Sequence, residues 1–209
     1  MKDMKRTYKL IKLWTVVMIL FTIHCSLFIS QAQAQTGTWK AYMSYYEPQQ
    51  IVKAGSHTLF VRASNGLYSY NLNDQSITTY DKVQQLSDTY ISLIAWNSKA
   101  QRLIIVYSNS NIDLMDLSAN VTNINALYSK SMTQDKTVNN IFISEQFAYL
   151  STGFGVVKVN MERAEIAESY IIDQNIIATG IDNGKLYAQT DQKTVYAGNL
   201  TSNLIDKHS

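Results

Sequence analysis

The chain has 209 residues with 18 basic and 16 acidic side chains, one cysteine, one proline and three histidines. Five of the bases and one of the acids lie in the first 34 residues, leaving 13 against 15 and a net charge near −2 in the remainder. A nearly neutral chain of this kind offers no basic surface to nucleic acid, and a lone cysteine excludes a disulfide framework.

The first 34 residues have the order of a secretory leader. Lys2, Lys5, Arg6, Lys9 and Lys12 precede a mostly apolar stretch over 13–29, and Gln31-Ala32-Gln33-Ala34-Gln35 comes directly after it. This predicts a signal peptide over 1–34, cut after Ala34, with Ala32 and Ala34 as the small residues of the site and Gln35 as the new terminus. A retained membrane anchor is the competing reading, because the apolar stretch nears the length of a span. Thr15, Thr22 and His24 weaken it, and the paired alanines favour cleavage. Ile23 and His24 likewise make Cys25 a poor site for lipid attachment. The expected mature chain is thus exported, has no membrane span and carries no thiol.

After a lead-in with Trp39, Tyr42, Tyr45 and Tyr46, which should pack on or pair with the first strands of the repeat, the rest reads as one domain over 35–209. It consists of four similar units at about 50–90, 91–137, 138–174 and 175–209. Each opens with a short apolar strand and turns at Gly55-Ser56-His57, Asn97-Ser98-Lys99, Ser144-Glu145-Gln146 or Asp182-Asn183-Gly184. Asn, Asp, Ser and Gly accept the backbone angles that such turns require. Second strands are expected over 59–63, 103–107, 147–151 and 186–189. Third strands open at Leu67, Ile112, Val156 and Val195, which lie 45, 44 and 39 positions apart, and the second of them is read as reaching Leu117. Fourth strands are expected over 76–80, 120–125 and 165–171, with one more at the end of the chain.

A repeat of this length built from antiparallel strands marks propeller blades. The expected fold is all-β: a β-propeller of four-stranded antiparallel blades, four of them present. Seven blades of this size need roughly 300 residues, so the four are expected to be an incomplete part of a larger ring, with a closed four-bladed ring as the alternative. An open arc would leave strand edges for self-association.

Groups able to do chemistry are few, and each has a structural explanation. His57 lies in a turn and His208 at the end, without partners at metal-ligand spacing. Asn109, Asn111, Asp113 and Asp116 suggest calcium ligands, but they lack the glycine and distal glutamate of a calcium loop and Asp113 falls within a strand, so the group reads as turn capping. Gly153-Phe154-Gly155 joins two strands rather than opening a helix, so it is a hairpin and not a phosphate loop. Glu162, Glu165 and Glu168 are expected along an exposed turn and outer strand. The fourteen tyrosines belong mainly to the sheet core and blade interfaces, with some left to line one end of the propeller. No catalytic, metal or cofactor residue is assigned.

The order of local motifs resembles particular propeller families. Leu86-Ser87-Asp88-Thr89-Tyr90-Ile91-Ser92-Leu93-Ile94-Ala95 resembles the blade-joining LSD-x-x-I-x-x-I segment of two-component-regulator propellers, and Ser64-Asn65-Gly66-Leu67-Tyr68-Ser69-Tyr70 resembles the strand turn that accompanies it. The stretches 108–114 and 148–156 are similar to the PorZ-like N-terminal propellers of the type IX secretion system of Bacteroidetes. That resemblance implies an exported, non-enzymatic binding module that helps process or attach secreted cargo. Its implied partners are other secretion-system surface proteins or a cell-surface glycan, without cofactor. The alternative is the periplasmic ligand-sensing propeller of a hybrid two-component regulator.

Overall fold

The computed structural model describes residues 45–64 and 66–205, together with Trp14, Thr15 and Met18. The chain divides into two compact units, Met1–Trp39 and Lys40–Ser209. In the first, Trp14, Thr15 and Met18 are helical and exposed. The expected cleavage site at Ala32, Ala34 and Gln35, along with Cys25, Trp39, Tyr42 and His208, lies outside the described residues.

The second unit is built of short strands. They are β1 (Gln50–Ala54), β2 (Thr58–Arg62), β3 (Leu67–Asn71) and β4 (Ile77–Tyr80); β5 (Ile91–Asn97), β6 (Arg102–Tyr107), β7 (Ile112–Met115) and β8 (Val121–Ile124). After a one-turn helix α1 (Ala126–Ser129) come β9 (Val138–Ser144), β10 (Phe147–Thr152), β11 (Gly155–Asn160) and β12 (Glu165–Ile171), then β13 (Ile176–Asp182), β14 (Lys185–Thr190) and β15 (Val195–Asn199). Each group forms one antiparallel sheet with its strands in sequence order. These are propeller blades, and their first strands β1, β5, β9 and β13 lie side by side in that order.

Three details differ from the expectation. The third strand of the second blade stops at Met115, so Leu117 is exposed in the turn beyond it. Asp116 ends the strand by accepting the Ser118 and Asn120 amides at 2.8 and 2.9 Å, which closes an Asx turn. The fourth blade has three strands among the described residues, with turns over 200–204 where a fourth was expected. Helix α1, with Leu127 buried, fills the connector to the third blade, where no helix was expected.

Stacking explains the composition of the central strands. Side chains alternate across a strand, so a blade between two neighbours must be apolar on both faces. On β6, Leu103, Ile105 and Tyr107 pack with Phe60, Leu67 and Tyr80 of the first blade. Ile104 and Val106, pointing the other way, pack with Ala148, Leu150, Val157 and Val159 of the third. The opposite face of the third blade sets Tyr149, Val156 and Tyr170 against Ile176, Leu186 and Ala188 of the fourth. The lead-in joins the first blade: the Gln49 amide donates to the Arg62 carbonyl at 2.8 Å, and the Tyr45 ring meets Tyr68 edge-on at 6.1 Å.

Each blade junction also carries an amide side chain that donates to a main-chain carbonyl of the next blade. Gln50 Nε2 donates to the Ile94 carbonyl at 2.7 Å, Asn97 Nδ2 to that of Glu145 at 2.9 Å and Asn139 Nδ2 to that of Ile176 at 2.8 Å. At Ile94 and Ile176 this satisfies carbonyls of the innermost strands without another strand, whereas Asn97 ties its blade to the β9–β10 turn.

Candidate functional site

The connectors that run from the outer strand of one blade to the first strand of the next all emerge at one end of the propeller. The same hydrogen bond recurs there in every blade. A carbonyl just before the first strand accepts the amide just after the second: Tyr46 from Ser64, Tyr90 from Ser108, Thr137 from Gly153 and Asn175 from Asp191, at 2.8–3.3 Å. Tyr90, Thr137 and Asn175 each stand one residue before the first strand of their blade, whereas Tyr46 stands four residues before β1, in the lead-in.

The connector carrying Tyr90 is fastened along its length. Asp81 Oδ1 accepts the Val83 and Gln84 amides, turning the chain, and Leu86 drops into the core. The Ser87 amide donates to Asp113 Oδ2 at 2.8 Å, and Asp88 Oδ2 accepts Asn109 Nδ2 at 2.5 Å. Each residue of Leu86-Ser87-Asp88 thus has its own anchor: the core, a buried carboxylate and the neighbouring strand turn. Burial pushes the Asp88 carboxyl up, but hydrogen bonds from Asn109 and Thr89 and the Lys82 charge outweigh it, holding it below the usual range.

Asp113 lies on β7 as its strand placement predicts, but it does not cap a turn: wholly buried, it accepts the Tyr107 hydroxyl at 2.6 Å and Asn123 Nδ2 at 2.8 Å as well as the Ser87 amide. Three donors compensate the carboxylate that burial alone would penalise. Burial, then the bond to Asp113, pushes the Tyr107 phenol up, so it stays a donor at ordinary pH. An aspartate inside an apolar strand is itself a signal that a partner must exist, though the sequence does not say which.

The other candidates do not converge. Asn109 and Asn111 cap the turn before β7, accepting the Asn111 and Ile112 amides at 3.0 Å, while Asp116 caps the turn after it. Asn111 and Asp116 stand five positions apart along extended chain, about 16 Å, too far for one cation. His57 is exposed in the β1–β2 turn. Gly153-Phe154-Gly155 forms the β10–β11 hairpin, and a Cβ at Gly155, whose φ is +154°, would overlap the Tyr170 carbonyl oxygen. Glu162 is exposed in the turn after β11, and Glu165 lies on β12. Glu168 is drawn into a network instead: it accepts Lys158 Nζ at 3.0 Å and the Tyr170 hydroxyl at 2.5 Å, and the Lys158 ammonium sits 4.5 Å from the Phe147 ring centre. The bonds from Tyr170 and Lys158 outweigh burial and hold its carboxyl below the usual range. Among the described residues, no three His, Cys, Asp or Glu side chains are grouped to hold a metal.

The tyrosines divide by location. Tyr80, Tyr107, Tyr149 and Tyr170 are buried between blades. Tyr46 in the lead-in and Tyr90 and Tyr128 in the next two connectors are 82, 69 and 50% exposed. Beside β15, an apolar cavity of about 200 Å³ is lined by Val156, Tyr170, Leu186, Ala188, Tyr196 and Leu204.

Comparison with known proteins agrees with this architecture. A structure of PorZ, described as an essential bacterial surface component of the type IX secretion system of Porphyromonas gingivalis, superposes with a TM-score of 0.76 at 29% identity. It covers 82% of this chain, and the chain spans 23% of that structure. The extracellular domains of a one-component and a hybrid two-component system from B. thetaiotaomicron superpose with TM-scores of 0.61 and 0.60 at 20 and 23% identity, over 79 and 75% of this chain and 23 and 21% of theirs, and share the fold. No curated protein matches the sequence. The model of the PorZ N-terminal β-propeller domain matches residues 59–209, and the chain belongs to that family.

Proposed function

We propose that the chain is an exported, non-enzymatic propeller module that acts through protein contacts at the bacterial surface, supporting the processing or attachment of type IX secretion cargo. The observation that carries this reading is the family match over 59–209 together with the 29% identity to PorZ. The leader over 1–34, with its site at Ala32, Ala34 and Gln35, supports export. The fate of the polar side chains supports a role without chemistry, since Asp88, Asp113, Asp116 and Glu168 are engaged in caps and links between strands. A cell-surface glycan is the other kind of partner that the family resemblance implies.

The test is deletion of the complete gene in its own organism. Cargo retained inside the envelope, with loss of its surface-attached form, is the expected result; normal secretion and attachment would overturn the reading. The fastened segment over 86–94 also favours a second reading, the ligand-sensing propeller of a two-component regulator. A membrane helix and kinase encoded in the same reading frame would establish that role instead.

A further inference from the structure

We draw no further inference here: the strongest candidate, the apolar cavity of about 200 Å³ beside β15 between the third and fourth blades, carries nothing because nothing in the structure shows what covers it.

Discussion

The Gln50 side chain binds both main-chain groups of Ile94: its Nε2 donates to the carbonyl at 2.7 Å, and its Oε1 accepts the amide at 3.0 Å. A primary amide has the same donor and acceptor spacing as a peptide group, so it stands in for a neighbouring strand at the inner edge of the second blade. Ile94 is wholly buried, so water is a poor substitute. Gln50→Leu should therefore lower unfolding free energy by roughly 1–3 kcal/mol, the cost of leaving buried peptide groups unpaired. Gln50→Glu, which keeps the acceptor and loses the donor, should also destabilise. Denaturant titration measures both; wild-type stability in the leucine variant would show that the link contributes nothing.

Asp113 joins strand β7 to the connector before the second blade. Asp113→Leu should be more harmful than Tyr107→Phe, because it orphans the Tyr107 hydroxyl and the Ser87 amide together and takes one of three acceptors from Asn123 Nδ2, whereas the phenylalanine removes one donor. The expected losses are about 3 kcal/mol or more against about 1 kcal/mol. Hydrogen exchange at the Ser87 amide should accelerate most in the Asp113 variant.

Glu168 and Tyr170 give opposite ends of one pH profile. The Glu168 carboxyl is held down by its bonds to Tyr170 and Lys158, so its contribution is present above about pH 4.3 and is lost as pH falls through its lower folded value. Burial and the bond to Glu168 hold the Tyr170 phenol up. Its contribution is present below about pH 10 and is lost as pH rises through the higher folded value. Tyr170→Phe should flatten the alkaline decline and reduce the acid one; thermal melts across pH track both limbs.

Glycines supply a contrast. Gly155→Ala should prevent correct folding or cost several kcal/mol, because its Cβ would overlap the Tyr170 carbonyl at a positive φ. Gly180→Ala meets nothing within 4 Å and should leave the melting temperature unchanged or raise it. Equal behaviour of the two would contradict the β11–β12 packing.

The first and fourth blades expose Ile51, Ile77 and Val195 on their sheets. Exposed apolar strand edges pair with other chains, so the chain should associate as its concentration rises, and Ile77→Lys on β4 should weaken this. Sedimentation of the two forms checks it.

Much of the fold was legible because its signals are local. Turn residues at 55–57, 97–99 and 182–184 mark the hairpins, and Asn183 and Gly184, at φ +47° and +75°, occupy the left-handed angles that such a tight turn requires. The unbroken apolar run of β6 announces a strand covered on both faces. The capping role of Asp116 was legible as a local signal, although the strand was expected to run past it to Leu117; helix α1 was not legible, since it depends on Leu127 finding the core between blades. The role of Asp113 was hidden for the same reason. Its partners Tyr107, Ser87 and Asn123 lie 6 to 26 positions away and meet only when the connector folds over the blade.

The central claim, contact rather than chemistry, is tested most directly by the amount of surface-attached cargo in a gene-deletion strain carrying the complete gene with His57→Ala, Glu162→Gln and Glu165→Gln combined. These exposed groups have no core role, so the protein should fold, reach the surface and restore attachment to the wild-type level. A protein that is exported and stable yet restores none of it would contradict the account.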